Sequence, residues 1–307
     1  MAVDLPVTIG SGRLANPVGV ASGTFGYGSE YERHLDLAGV GALYTKAVTR
    51  QARPGNDVPR IVETPAGLLN SIGLANVGQE RFVAEKLPAF AGMPCAIIAN
   101  VAADYPEEYA EVTAFLEEHD RDRILWGYEV NVSCPNVKAG GVSIGAVPAQ
   151  VERTTKLVRE ITRRPVIVKL TPNVTDIAEV ARAAEAGGAD AVSCINTVVG
   201  MMIDVEARRP VLPAGTGGLS GPAVLPIGVA AVYRVSRAVA IPVIGLGGIM
   251  GVEDAIQYLL AGASAVQVGT ANFVDARIAA SLAEGISAYA ERHGITSVSG
   301  FGDALEV

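Results

Sequence analysis

A cysteine in a polar setting is the residue of this sequence best suited to do chemistry. Residues 131–141 read Asn-Val-Ser-Cys-Pro-Asn-Val-Lys-Ala-Gly-Gly, and the apolar run 124–130 before them is typical of a buried strand. Cys134 therefore follows the carboxyl end of a strand, where barrel enzymes carry their catalytic residues. The alternative is a small buried hydrophobic residue, the commonest fate of a free cysteine, but the amides and hydroxyl beside Cys134 make a poor core.

Two lysines also end apolar strands. Lys46 closes Ala-Leu-Tyr-Thr-Lys, and Lys169 lies in Val-Ile-Val-Lys-Leu-Thr-Pro-Asn. An ammonium group in the mouth of a barrel is costly when it is unpaired, so we expect each lysine to meet an anion. The usual alternative is a lysine on the protein surface, but a lysine that directly follows a buried apolar run fits that alternative poorly.

Three asparagines, Asn100, Asn131 and Asn196, stand at strand ends as well. An amide offers both a donor and an acceptor, which suits a flat heterocycle with alternating N–H and C=O groups. One such asparagine could cap a turn, but three at equivalent positions indicate a shared ligand.

Glycines follow the last two predicted strands, in Gly-Leu-Gly-Gly-Ile at 245–249 and Val-Gly-Thr at 268–270. In barrels the corresponding loops commonly bind a phosphate, because glycine lets backbone N–H groups approach its oxygens. Two tight turns without a ligand are the alternative. The glycines alone do not distinguish a sugar phosphate from flavin mononucleotide (FMN).

The elements that must position these residues alternate along the chain. Short continuous apolar runs are typical of parallel strands buried on both faces; they cover 17–21, 42–46, 95–100, 128–131, 166–170, 191–195, 243–246 and 265–268. Helical patterns lie between or after them, at 31–37, 106–118, 151–162, 176–186, 223–239, 252–260 and 275–292. This alternation predicts an α/β fold, a (β/α)8 TIM barrel, as one domain over residues 1–307.

Two connections exceed ordinary loop length. Residues 47–94 and 197–221 both follow strands and are rich in glycine, with proline and asparagine clusters in the first. The sequence therefore predicts long inserted loops on the C-terminal face of the barrel, where lids and binding loops lie.

Composition excludes several classes of protein. The chain has 307 residues, half of them apolar, and a net charge of −8. An acidic chain without a basic run is a poor nucleic-acid binder, and no apolar run is long enough to span a membrane. The three dispersed cysteines form no disulfide framework and no metal or iron–sulfur ligand set, and they favour a cytoplasmic location.

Taken together, the motifs resemble those of dihydroorotate dehydrogenases over essentially the whole chain. They are Ala-Ser-Gly-Thr at 21–24, Thr-Lys-Ala-Val-Thr at 45–49, Asn-Ser-Ile-Gly-Leu at 70–74, Asn-Val-Ser-Cys-Pro-Asn at 131–136, Ile-Asn-Thr at 195–197 and the two glycine loops. The cysteine differs from the serine of the membrane-bound class. The Val-Lys-Ala-Gly-Gly continuation resembles class 1B, the FMN-containing catalytic subunit, more than the stand-alone class 1A dimers.

This resemblance implies an activity and a set of site residues. It implies oxidation of dihydroorotate to orotate in pyrimidine (UMP) biosynthesis, with Cys134 as the catalytic base and FMN as the hydride acceptor. For FMN binding it implies Ser22, Lys46, Ala47, Asn100, Asn131, Lys169, Ile195, Gly221, Gly247, Gly248, Gly269 and Thr270. For substrate binding it implies Lys46, Asn70, Ser71, Ile72, Gly73, Leu74, Asn131, Asn196 and Thr197. Only Ser71 and residues 75–78 depart mildly from the family pattern.

The route by which electrons leave is a separate question. The sequence shows no Gly-x-Gly-x-x-Gly after its first strand and no cluster ligands, which indicates a diffusible oxidant or a partner subunit. The resemblance implies an iron–sulfur/FAD partner that passes electrons to NAD, in a heterotetramer of two catalytic and two partner chains. Two alternatives stay open: a class 1A-like enzyme that uses fumarate, and a barrel aldolase in which Lys46 or Lys169 forms a Schiff base.

Overall fold

A computed structural model describes residues 5–28, 30, 37–133 and 143–306. In chain order its strands are β1 (Val7–Ile9), β2 (Gly12–Leu14), β3 (Val18–Val20), β4 (Ala42–Tyr44), β5 (Ile61–Thr64), β6 (Gly67–Asn70), β7 (Ala96–Val101), β8 (Leu125–Asn131), β9 (Val166–Lys169), β10 (Ala191–Cys194), β11 (Val198–Gly200), β12 (Ile203–Asp204), β13 (Arg209–Pro210), β14 (Gly217–Ser220), β15 (Val243–Leu246) and β16 (Ala265–Val268). The α-helices are α1 (Gly78–Arg81), α2 (Pro106–His119), α3 (Pro148–Ile161), α4 (Ile177–Ala186), α5 (Leu225–Ser236), α6 (Val252–Leu260), α7 (Ile278–His293) and α8 (Gly300–Asp303).

The predicted TIM barrel is confirmed. Strands β3, β4, β7, β8, β9, β10, β15 and β16 form a closed barrel in which each strand lies beside the next barrel strand along the chain, and β16 returns to pair with β3. Every barrel pair is parallel. Each of the eight predicted apolar runs contains or overlaps one barrel strand, because a strand covered on both faces needs continuous apolar sequence.

The helices pack outside the barrel, with bounds close to the predicted ones. Asp176 starts α4 by accepting a hydrogen bond from the Ala178 N–H, as expected of an N-cap aspartate. Gly294 ends α7 with a φ of 69°, a left-handed conformation that favours glycine. The helical pattern predicted at 31–37 falls almost wholly outside the described residues, and Leu37–Gly39 is a 3-10 turn. Across the described residues, no helix is both long and apolar enough to cross a membrane.

The two long insertions are not simple loops. Strands β5 and β6 of the first insertion and β11 and β14 of the second form one antiparallel sheet in the order β11–β14–β6–β5. The junction is the β14–β6 pair, in which Gly218 lies opposite Asn70 and Ser220 lies opposite Leu68. Strands β12 and β13 form a small separate hairpin. The two insertions are therefore a single structural layer at the barrel mouth.

A buried ion cluster supports the barrel wall away from the mouth. Arg164 is 8% exposed and pairs with Asp120, and its guanidinium also donates to the Leu125 carbonyl oxygen at 2.7 Å. Asp120 accepts in turn from the backbone N–H groups of Ile124 and Leu125. The start of β8 is thus fixed by charge-assisted hydrogen bonds.

Candidate active site

A cavity of about 620 Å³ lies at the carboxyl end of the barrel strands. Its walls come from the residues that end or follow the barrel strands and from the sheet made by the two insertions. The volume falls in the usual range of small-molecule sites. The predicted site residues that line it are Ser22, Lys46, Ala47, Asn70, Ser71, Ile72, Gly73, Leu74, Asn131, Lys169, Ile195, Asn196, Thr197, Gly221, Gly247, Gly248, Gly269 and Thr270.

The two glycine loops form one wall of the cavity. Gly247 and Gly248 have φ values of 124° and 74°, which glycine adopts readily and other residues rarely do. A methyl group on Gly248 would lie 2.6 Å from the Leu225 nitrogen, so this glycine is required by packing alone. Gly269 differs, because a methyl group there would come no closer than 3.7 Å to any protein atom outside its chain neighbours. The space beside Gly269 belongs to the cavity.

Hydrogen bonds from neighbouring elements fix these loops. The Tyr258 hydroxyl on α6 donates to the Gly247 carbonyl oxygen at 2.7 Å, and the Thr270 hydroxyl donates to Ser220 at 2.8 Å. The second contact joins the end of β16 to β14 of the insertion sheet. The glycine wall therefore needs no ligand to hold its shape.

Both predicted lysines line the cavity. Lys169 is only 5% exposed and lies in register with Asn131 on the adjacent strand. Burial, and then the nearby Arg60 cation, lower the pKa of Lys46, while Glu30 opposes the shift more weakly. In the described part of the chain neither lysine forms an ion pair. Among the described residues both lysines therefore lack an ion-pair partner, and an anionic ligand would be favoured in the cavity.

The predicted asparagines separate into two groups. Asn131 and Asn196 line the cavity, and the Asn196 side-chain oxygen accepts from the Thr197 N–H at 2.8 Å. Asn100 is fully buried and is absent from the cavity wall; its side-chain oxygen accepts from Asn131 Nδ2 at 3.4 Å. The Asn131 Oδ1 atom is buried and has no hydrogen-bond partner among the described residues. Asn100 therefore supports Asn131 from below instead of facing the cavity.

The predicted substrate segment at 70–74 is held by the loop that precedes it. Asn56 donates from its backbone to the Ile72 carbonyl oxygen at 3.1 Å and from its side chain to the Ser71 hydroxyl at 2.6 Å. Asn70 Nδ2 donates to the Gly218 carbonyl oxygen across the two insertions. The segment is consequently positioned before any ligand arrives.

Asn173 is a cavity residue that was not predicted from the sequence. Its side chain donates to the Thr171 hydroxyl and the Thr197 carbonyl oxygen, both at 3.0 Å, and accepts from the Val199 N–H at 2.9 Å. It therefore ties the loop after β9 to the loop after β10. The available signal was its position four residues after Lys169, at the end of the same strand motif.

Cys134, the predicted catalytic base, lies outside the described residues, as do the other residues of segment 134–142. Ser133 and Ser143, which flank that segment, both line the cavity, and the Ser133 hydroxyl donates to the Lys169 carbonyl oxygen at 2.8 Å.

The other two cysteines are poor candidates for acid–base chemistry. Burial raises the pKa of the Cys95 thiol to about 11 and raises that of Cys194 further. Both are therefore thiols, not thiolates, near neutral pH. Neither of them lines the cavity.

Comparisons with known proteins agree with the geometry. A family model described as dihydroorotate dehydrogenase matches residues 4–289. The chain is 49% identical over 306 residues to the "Dihydroorotate dehydrogenase B (NAD(+)), catalytic subunit" of Pelobacter propionicus, and the match covers 100% of both chains. The proteins of the same name from Phocaeicola vulgatus and Geotalea uraniireducens are 49% identical over 304 residues and 50% identical over 295 residues, with 99% and 96% of each chain covered.

Proposed function

The chain belongs to the dihydroorotate dehydrogenase family, and from this we propose that it oxidises dihydroorotate to orotate as the catalytic subunit of an NAD-linked enzyme of pyrimidine biosynthesis. The observation that carries the proposal is near-50% identity over whole chains to proteins named as that subunit. The NAD(+) in those names favours this route over the fumarate-linked alternative. The cavity supports the proposal because its wall combines cations, amides and glycines.

We propose FMN as the resident cofactor of the cavity. Two features fit it: the absence of a side chain at Gly269, which leaves room at the cavity wall, and the buried side chain of Lys169 in that wall. When bound, FMN supplies the hydride acceptor. Asn100 is proposed to act through Asn131, and the direct contacts proposed are Ser22, Lys46, Ala47, Asn131, Lys169, Ile195, Gly221, Gly247, Gly248, Gly269 and Thr270.

Each group of these residues has a distinct task. The backbone N–H groups of the glycine wall are suited to phosphate oxygens, because small residues permit close approach. The Lys169 ammonium stabilises negative charge on a bound ring in a water-poor site, where electrostatic interactions are strong. The Asn131 side chain offers an amide group to the flavin ring.

The substrate is proposed to lie against the insertion segment and the amides. Lys46 offers a cation to a carboxylate, and the amides of Asn131 and Asn196 complement ring N–H and C=O groups. The remaining proposed contacts are Asn70, Ser71, Ile72, Gly73, Leu74 and Thr197. Because the insertion sheet covers this side of the cavity, it also limits the access of water.

Cys134 is proposed as the base that removes the proton from the carbon next to the substrate carbonyl. An unperturbed thiol has a pKa of about 8.5, so the rate of proton removal should rise with pH as the thiolate forms.

We further propose an electron-transfer partner that holds iron–sulfur and FAD centres, in a heterotetramer of two catalytic and two partner chains. The words "catalytic subunit" in the names of the relatives support a partner. Phe273 lines the cavity and is 53% exposed, and Val274 beside it is 76% exposed, so apolar surface adjoins the cavity. The purified chain alone should reduce NAD slowly, and the addition of the partner should speed NADH formation. Rapid NAD turnover by the single chain would refute the need for a partner.

Two further assignments stay predictions: one FMN-binding barrel domain over residues 1–307, and a cytoplasmic location. A Schiff-base aldolase has one feature in its favour, the lowered pKa of Lys46, since a neutral lysine is the nucleophile of that chemistry. Borohydride trapping with a carbonyl substrate tests it.

The visible spectrum tests the main proposal directly. The purified chain should show flavin absorbance, and dihydroorotate added without oxygen should bleach it. Orotate, the product, serves as the control and should perturb the spectrum without bleaching it. A chain that takes up FMN but is not reduced by dihydroorotate would refute the assignment.

A further inference from the structure

Glu129 is a fully buried acid in the interior of the barrel, two residues before Asn131 on β8. Its carboxylate accepts three hydrogen bonds from three other barrel strands: from Asn100 Nδ2 at 2.6 Å, Ser193 Oγ at 2.8 Å and Gln267 Nε2 at 3.0 Å. In the described part of the chain no cation pairs with it. The carboxylate is therefore held by neutral donors alone, below the cavity and outside its wall.

The three hydrogen bonds fix the orientation of an amide. Both side-chain oxygens of Glu129 accept in these contacts, so Asn100 turns its NH2 group towards Glu129. The Asn100 oxygen then faces Asn131 and accepts from its Nδ2 at 3.4 Å, a long contact. Within the ranges that the structure describes, this leaves Asn131 Oδ1 without a hydrogen-bond partner, on a residue that lines the cavity.

We propose that Glu129 is a positioning residue that acts through Asn100 to hold Asn131 with its side-chain oxygen free for an N–H group of the substrate ring. In this series of hydrogen bonds, Glu129 accepts from the NH2 group of Asn100, and the Asn100 oxygen accepts from the NH2 group of Asn131. The Asn131 oxygen is then left as an acceptor. This inference rests on the proposed function, which supplies a flat ring with N–H groups as the ligand. Glu129 itself is outside the cavity wall and therefore touches neither the proposed flavin nor the proposed substrate.

Glu129→Gln tests this series of hydrogen bonds at its first acceptor, the Glu129 carboxyl group. Glutamine keeps the shape but can accept or donate, so Asn100 and Asn131 are no longer held in one orientation. The dissociation constant of orotate should rise about tenfold, the loss expected for one hydrogen bond to a buried ligand group. It is measured by the change in flavin absorbance and independently by calorimetry. The thermal melting curve of each variant reports folding.

An exchange of the acid and the amide between positions 100 and 129 separates a positioning role from a purely structural one; we call this double variant the swap. In the double variant Asn100→Asp/Glu129→Gln the amide at 129 donates to the carboxylate at 100, and that carboxylate accepts from Asn131. The orientation of Asn131 is thereby restored, and orotate should bind within about threefold of the wild-type affinity. If Glu129→Gln alone fails to fold, the swap still decides, because a structural need for a carboxylate at 129 predicts that the swap fails too.

Glu108→Gln is the matched control. Glu108 is also buried, at 8% exposure, but it accepts from the Asp104 N–H beside α2 and is not a cavity residue; its variant should bind orotate like the wild type. Unchanged orotate binding in Glu129→Gln, or equally weak binding in the swap, would overturn the positioning role. A wild-type chain whose flavin does not respond to orotate would instead count against the proposed function, so the two failures are distinguishable.

Discussion

Gly269→Ala is the sharpest test of where the cofactor phosphate lies. The added methyl group would lie 3.7 Å from the Ala21 side chain and 3.9 Å from that of Thr24, both ordinary contacts, and φ at Gly269 is −109°. The folded chain therefore has room for the methyl group, whereas a phosphate drawn against the backbone would lose its place to it. Loss of one hydrogen bond to a charged group costs about 1.5–3 kcal/mol, which is roughly a 10- to 150-fold loss of FMN affinity.

The assay is titration of flavin-free protein with FMN, followed by the quenching of flavin fluorescence. The matched control is Gly251→Ala, because φ is −167° there, no atom lies within 4 Å of the added methyl, and the residue is outside the cavity wall. Both variants should melt like the flavin-free wild type. Wild-type FMN affinity in Gly269→Ala would refute the phosphate site. Gly248→Val is a poorer test, since its clash with Leu225 disturbs the fold as well.

Three further predictions address the base, the barrel wall and the charge of the site. Cys134→Ala should retain FMN but slow flavin reduction by roughly 10²- to 10⁴-fold in stopped-flow measurements; a wild-type rate would exclude Cys134 as the base. Arg164→Met leaves Asp120 buried without its cation and should lower the free energy of unfolding by about 3–5 kcal/mol in urea, whereas Arg153→Met, in an exposed pair, should cost about 1 kcal/mol or less. Because burial lowers the pKa of Lys46, its ammonium loses its proton at a lower pH than an ordinary lysine, whose pKa is about 10.4. Orotate affinity should therefore begin to fall below that pH as pH rises. Lys46→Met should bind orotate weakly and show less of that fall. At pH values between the folded-state and unfolded-state pKa of Lys46, the unfolded chain binds one more proton than the folded chain, so this lysine makes the free energy of unfolding rise with pH. Orotate titrations at each pH measure the effect on affinity, and urea unfolding at each pH measures the effect on stability.

The barrel itself could be predicted because its signal is local. Each strand buried on both faces needs a continuous apolar run, and eight such runs alternate with helical patterns. The insertion sheet could not be predicted in the same way. Strands β14 and β6 are four residues each, are half-buried in most positions and lie far apart in the chain, so neither has a pattern that identifies its partner.

The site shows the same division between local and non-local information. The lysines and glycines were predicted because they interrupt or end apolar runs. The different positions of Asn100 and Asn131 were not predicted, because they depend on the register of the two strands: Asn100 lies opposite Glu129, two residues before Asn131. Asn131 ends β8, whereas Asn100 is followed by Val101 in β7. Glu129 was missed because a single acid inside an otherwise apolar strand gives no sign of its donors on three other strands.

The junction of the two insertions has a consequence for recombining this enzyme with its relatives. Where β14 meets β6, a methyl group on Gly217 would lie 2.6 Å from the Asn70 carbonyl oxygen, and one on Gly67 would lie 2.0 Å from that of Ser220. Each insertion therefore has a glycine, with no side chain, at the position where the backbone of the other insertion comes close. A chimaera that takes only one insertion from a divergent relative would place new side chains against an unchanged backbone. Segments 47–94 and 197–221 must therefore be exchanged together, as one inherited unit, although the rest of the barrel between them can stay.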